Sequence, residues 1–201
     1  HHPDIRQFTT VWMDSLRGGE SMLVNTNKLI RFYDGATGLK TGSTGSAGYC
    51  LSATAEKNGM ELIAVVLKGK TSDERFSDAK SLLNYGFSTW SLVTVTPDEV
   101  LPPVPVTLGV RGTVQPVLTS ENTLLVEKTL ANGLTKEVAL AESVAAPVYA
   151  GDTLGQLTVR DAAGNTVAEL PILAGEDVGH VTFVQMLGRC LARGFCMGSQ
   201  S

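Results

Sequence analysis

No apolar stretch in this chain reaches the roughly 18 residues that a membrane-spanning helix needs. Net charge is small too: at −4 the protein offers a phosphate backbone no electrostatic attraction, so no nucleic-acid partner is expected. Cysteine is scarce. Cys50, Cys190 and Cys196 cannot make a disulfide framework, and an odd number leaves at least one thiol free. Cys190 and Cys196, six apart, point away from one another on a helix. No Cys/His cluster has zinc spacing, so neither a metal nor a cofactor is expected. The chain opens His1-His2-Pro3-Asp4, without Met or a signal-peptide apolar segment, and reads as a cut edge. The His pair is either native or the remnant of a tag.

What is present is enough for a folded core. Hydrophobic residues make up 43% of the 201, and charged residues only 18%. That length holds one large domain or two small ones. Three segments differ in pattern. Residues 1–90 mix helix and strand. Phe8, Val11, Trp12 and Leu16 recur at helical spacing and predict a helix over Ile5–Leu16, ended by Gly18-Gly19. Alternation at Tyr49, Leu51, Ala53 and Ala55, then at Leu62, Ala64 and Val66, predicts two strands joined at Asn58-Gly59. Thr71-Ser72-Asp73-Glu74 fits a capping box opening a helix with Phe76, Ala79, Leu82 and Leu83 inward, ending near Gly86.

Residues 91–175 carry short β-rich stretches at Leu92–Thr96, Val104–Val110, Leu124–Val126, Leu154–Val159 and Val167–Ile172. Asn132-Gly133 and Gly164-Asn165 punctuate them as turns, and Pro102-Pro103 with Pro105 stiffens the entry. That spacing predicts a small all-β sandwich or barrel. Residues 176–201 form a tail, in which Gly179 to Met197 is a candidate amphipathic helix. Val184, Leu187, Leu191 and Phe195 share one face, and Gln185, Arg189 and Arg193 form a polar stripe. Two arginines and no acid past Asp177 suit an anionic membrane surface; packing on a domain or partner is the other reading, and Gly188 and Gly194 weaken a helix.

The chemically informative stretch is Gly38-Leu39-Lys40-Thr41-Gly42-Ser43-Thr44-Gly45-Ser46-Ala47-Gly48-Tyr49. It lacks the residue order of a phosphate-binding loop. A Lys and a Thr stand on a short strand before a hairpin, with glycines where another chain needs close approach. Such an edge pairs with an extended peptide through its backbone while Lys40 and Thr41 present charge and hydroxyl. A peptide ending in a carboxylate suits it.

Gly38 through Thr44, followed by Ala47-Gly48-Tyr49, resembles the third active-site motif of penicillin-binding D-alanyl-D-alanine carboxypeptidases. Asn25-Thr26-Asn27-Lys28-Leu29 resembles the stretch leading to it. Gly59 through Leu67, Arg75-Phe76 and Leu82 through Phe87 continue the family pattern. The resemblance is close over residues 5–90; beyond that it is one of order and architecture. It implies the C-terminal part of an α/β, transpeptidase-like domain, a small β domain and a membrane-associating amphipathic helix. It further implies that Lys40 sits near the catalytic hydroxyls, helping proton movement or charge stabilisation, and that Ser43 lends its backbone N–H to an oxyanion hole. Thr41, with Gly42 beside it, would bind the substrate's terminal carboxylate, and Arg75 would be a cation near that carboxylate. The alternative for Arg75 is a surface arginine with no ligand.

The family's other two motifs do not precede Lys40. Its chemistry needs S-x-x-K, in which serine and lysine share a helix face, and an S-x-N-type motif. Here Ser77-Asp78-Ala79-Lys80 and Ser120-Glu121-Asn122 both follow Lys40, in reversed order, and read as a solvated helix face and a turn. The chain therefore contains no nucleophile and is expected to be inert alone. The parent enzyme would trim the terminal D-Ala from peptidoglycan stem peptides and bind β-lactams, at the outer face of the bacterial cytoplasmic membrane. A D,D-endopeptidase, a β-lactamase and a non-catalytic cell-wall scaffold of the same fold are the rivals; the β domain and terminal helix argue against a β-lactamase.

Overall fold

The computed structural model describes residues 2–188 and is mostly β, with few helices. It divides into two compact units, residues 1–92 with 125–131, and residues 93–124 with 132 onward.

The first unit begins with a single helical turn, α1 (Arg6–Thr9), and then leaves the helix. The helix expected over Ile5–Leu16 does not form. Instead β1 (Met13–Leu16) and β2 (Ser21–Val24) make an antiparallel hairpin, with Met13 opposite Val24 and Leu16 opposite Ser21. Local hydrogen bonding explains the difference. Asn25 donates through Nδ2 to the carbonyls of Thr9 (3.2 Å) and Val11 (2.9 Å), and its N–H reaches Trp12 O at 2.8 Å. Those bonds hold the chain extended past residue 10. Gly18 and Gly19, at φ 70° and 104°, supply the left-handed backbone for the reversal. Phe8, Val11 and Leu16 are exposed and Trp12 only half-buried, so the apparent helical stripe is not a buried face.

After a second short turn, α2 (Leu29–Phe32), come three antiparallel strands in the order β3 (Ala36–Thr44), β4 (Gly48–Lys57), β5 (Met60–Gly69). Asn58 and Gly59 join β4 to β5 with φ of 52° and 77°, the two positive values of a type I′ turn. Thr71 caps α3 (Ser72–Thr89), its Oγ1 accepting from Glu74 N at 3.1 Å. Glu74 reaches back one residue further than an ordinary capping box, to Lys70 N at 2.8 Å. The helix runs to Thr89, a turn beyond Gly86. Phe76, Ala79 and Leu83 pack on Leu51, Ala53, Ala55, Ala64 and Val66 of the sheet; Leu82 stays exposed. The far side of β5 is bare, with Ile63, Val65 and Leu67 at 68%, 57% and 72% exposure.

Two strands, β6 (Trp90–Thr94) and β10 (Thr123–Glu127), straddle the division, and the turn α4 (Lys128–Ala131) belongs to the first unit. The second unit holds β7 (Val104–Thr107), β8 (Thr113–Val114), β9 (Pro116–Leu118), β11 (Thr135–Leu140), β12 (Val144–Ala145), β13 (Thr153–Arg160) and β14 (Thr166–Ala174). They form a four-stranded sheet, β11-β13-β14-β9, and a three-stranded one, β12-β7-β8. The larger sheet feeds two apolar clusters. Leu154 and Ala174 join Val104, Val106, Val114 and Val178; Leu157, Val159, Leu170 and Ile172 join Val95. Among the described residues, 183–188 form a helical segment. Thr182 and Gln185 open it by exchanging bonds, Thr182 N to Gln185 Oε1 at 3.0 Å and Gln185 N to Thr182 Oγ1 at 3.4 Å. Val184 and Leu187 are exposed; Arg189, Cys190, Leu191, Arg193, Phe195 and Cys196 lie outside the described residues.

Candidate active-site strand

Among the described residues β3 is an edge strand, paired only with β4, and it carries Lys40, Thr41, Gly42 and Ser43 in succession. Its register is set by the ladder Lys40–Ser52, Thr41–Leu51, Gly42–Cys50 and Ser43–Tyr49. Alternation then sorts the side chains. Thr41 falls with Leu51 on the helix-covered face and is 8% exposed, while Lys40 and Gly42 lie exposed on the opposite face; Ser43 shares the face of Thr41 but, nearer the hairpin end, is exposed.

Three polar side chains are buried in the described residues, and each braces this strand: Asn27, Thr41 and Arg75. Asn27 donates from Nδ2 to Gly38 O at 3.0 Å, and its Oδ1 accepts from Leu29 N at 3.2 Å. It thus ties the turn α2 to the start of the motif. Thr41 Oγ1 lies 2.7 Å from Thr26 Oγ1. Arg75, near the start of α3, spends its guanidinium on the hairpin: Nη1 donates to Gly42 O and Cys50 O, both at 3.2 Å, and Nη2 to Ser72 Oγ at 3.4 Å. Its cation also faces the rings of Phe76 (4.9 Å) and Tyr49 (5.4 Å). Arg75 Nε is buried without a hydrogen-bond partner.

On the open side, Lys40 folds along its own strand and donates from Nζ to Thr41 O at 2.5 Å. A Cβ built on Gly42 would meet nothing within 4 Å, and Gly42 has no left-handed φ. Nothing among the described residues requires glycine there; the open space above it is what a side chain would fill. Ser43, Thr44, Gly48, Tyr49 and Lys70 line a shallow depression beside it. The structure therefore brings Lys40, Thr41, Gly42, Ser43 and Arg75 onto or beneath one strand. Thr26 and Lys70 were missed: threonine next to two asparagines, and a lysine in a loop, carry no signal of their own in one sequence. Ser77 and Lys80 are exposed on α3, and Ser120 is exposed in the second unit. Among the described residues no group of three His, Cys, Asp or Glu is placed to hold a metal.

An edge strand bearing Lys-Thr-Gly, followed by an all-β module, is consistent with the class of the penicillin-binding proteins, and the comparisons with known proteins place the chain there. The sequence matches the D-alanyl-D-alanine carboxypeptidase family over residues 1–71 and the C-terminal domain of penicillin-binding protein 5 over residues 93–180. D-alanyl-D-alanine carboxypeptidase DacF of Bacillus subtilis (strain 168) is 33% identical over 195 residues, covering 94% of this chain and 50% of that protein. DacC of Escherichia coli (strain K12) is 30% identical over 143 residues, 70% of this chain and 36% of that protein. Penicillin binding protein 5 from Haemophilus influenzae superposes with a TM-score of 0.70 at 23% identity, covering 87% of this chain and 51% of that one, a likeness of fold. The chain belongs to the penicillin-binding D-alanyl-D-alanine carboxypeptidase family. It spans half or less of the length of these two curated relatives.

Proposed function

We propose that this chain forms one wall of the active site of a serine D-alanyl-D-alanine carboxypeptidase that trims the terminal D-Ala from peptidoglycan stem peptides through an acyl-enzyme. The first unit is then the C-terminal part of an α/β, transpeptidase-like domain, and the serine nucleophile with its lysine comes from polypeptide outside these 201 residues. The observation that carries the reading is the free edge of β3, with an ammonium, a hydroxyl and an unfilled glycine position in a row.

An extended stem peptide pairs with that edge by backbone hydrogen bonds. Lys40 leaves Thr41 O and places its ammonium near the catalytic hydroxyls, where it helps proton movement or stabilises developing charge. Thr41, its hydroxyl oriented by Thr26, receives the terminal carboxylate. Arg75 adds a buried positive charge beneath the strand, which favours an anionic group above it. Ser43 N–H serves the oxyanion of the tetrahedral intermediate, where one such donor is worth about 10²–10³ in rate. β-Lactams, which mimic acyl-D-Ala-D-Ala, are the matching inhibitors. The terminal helix docks on an anionic membrane surface, at the outer face of the cytoplasmic membrane.

Labelling with a fluorescent penicillin tests this, read by denaturing gel and intact mass. The 201-residue chain alone should give no covalent adduct. The same chain continuous with the polypeptide encoded immediately upstream should label on a serine of that polypeptide, and Lys40→Ala should abolish the adduct. An adduct on Ser77 or any serine of this chain overturns the reading. If no S-x-x-K is encoded upstream and nothing labels, the chain is the non-catalytic scaffold.

A further inference from the structure

Arg75 is the one charged side chain buried among the described residues, and its hydrogen bonds go mainly to main-chain carbonyls. Gly42 and Cys50, whose oxygens both lie 3.2 Å from Nη1, are opposite one another in the β3–β4 ladder. Two carbonyls from facing strands come that close to one nitrogen only if both point into the space between the strands. Gly42 C=O therefore points toward β4. In a trans peptide the carbonyl and the following N–H are antiparallel. Pinning Gly42 O inward aims Ser43 N–H outward, off the free edge of β3.

We infer that Arg75 is the positioning residue for the Ser43 N–H donor, acting through the Gly42–Ser43 peptide. This rests on the reading of Ser43 N–H as an oxyanion donor. Two further observations favour it over a simple staple for the hairpin. Gly42 has no side chain and no neighbour within 4 Å of its Cβ position, so beyond the ladder itself no side-chain packing at Gly42 fixes the plane of that peptide. The clamp is also ionised. A charge-assisted bond to the carbonyl polarises the amide and strengthens the N–H at its other end. A neutral staple would hold the strands together without that effect.

The test is backbone ¹⁵N relaxation and residual dipolar coupling on the native 201-residue chain and on Arg75→Met. In the native chain Ser43 N–H should be as ordered as the sheet, near an order parameter of about 0.85. In Arg75→Met it should fall toward about 0.6, with a changed dipolar coupling, while Ser52–Ala55 and Leu62–Val66 hold their values. Unchanged order and orientation at Ser43 in Arg75→Met overturns the inference. So does a loss spread evenly over β4 and β5, which is what a purely structural role gives. Should Arg75→Met fail to fold, Arg75→Gln keeps one neutral donor and should show the same loss, smaller and still confined to residues 42–43; no loss there counts against the inference. Penicillin labelling decides the functional reading separately: an ordered Ser43 N–H on a protein that never labels sinks that reading alone. Labelling with a Ser43 N–H indifferent to Arg75 sinks this one alone.

Discussion

The two units bury different things. In the second, among the described residues, every buried side chain is apolar, and nearly all gather into two clusters that share one four-stranded sheet. The first has one cluster, leaves the outer side of β5 open to solvent, and buries Asn27, Thr41 and Arg75 beside it. Burying a polar group gains little net stability even when it is fully bonded, and burying a charge costs more. A unit that puts all three of its buried polar side chains around one edge strand is therefore organised about that strand as well as about its apolar core. The second unit buries only apolar groups; the first also buries the groups that hold a backbone in place.

If that contrast is right, apolar truncation should be most damaging in the second unit. Leu157, fully buried, should cost about 2–5 kcal/mol as Leu157→Ala, measured by urea unfolding followed by far-UV circular dichroism. In the first unit the damaging change should be polar. Asn27→Ala strands Gly38 O and Leu29 N and should cost about 1–3 kcal/mol, followed by tryptophan fluorescence, since Trp12 and Trp90 both lie in that unit. Asn27→Ala with no measurable loss would mean that β3 is held by its ladder alone, and the contrast would collapse.

How much of this could be read from the residues alone follows the same line. Turns and caps were legible because they are written in two to four adjacent residues. Asn58-Gly59 gave its hairpin, and Thr71 with Glu74 gave the start of α3. The helix expected over Ile5–Leu16 failed because Asn25, nine or more residues further on, holds the carbonyls of Thr9 and Val11, and periodicity carries no record of such a partner. The strand β11 and the turn α4 lay between turn signals without a strong alternation to mark them. At the site, Lys40, Thr41 and Gly42 announced themselves as a motif. What could not be read was where Arg75 points, because its carbonyl partners are 33 and 25 residues away and set by strand register.

The bare side of β5 offers a smaller effect of opposite character. Ile63 and Val65 are exposed, which predicts self-association of the native chain through this face; Ile63→Ser with Val65→Ser should reduce it while leaving stability within about 0.5 kcal/mol. Sedimentation velocity across a concentration series reads it. Self-association unchanged by the double substitution would show that this face is not the sticky one.

The smallest effect belongs to the second unit, and its dependence on pH is what makes it measurable. Asp161 sits in the β13–β14 turn. Its carboxylate accepts from Asn165 Nδ2 (3.0 Å), Asn165 N (2.8 Å) and Ala163 N (2.9 Å). These bonds, the Asn165 side chain first among them, hold its carboxyl below the ordinary carboxylate value. A lowered folded value means that the native state prefers the ionised form. The stabilisation is then complete above the unfolded carboxylate value, and is lost as pH falls through the lower folded one. Asp161→Ala should therefore lower the urea midpoint slightly at neutral pH, and the gap should close only in strong acid. Asp161→Asn, which cannot ionise, should track the alanine variant's pH dependence. A gap that closes already near neutrality would assign the effect to some other group, and one that persists at the lowest pH would show that the turn needs the side chain but not its charge.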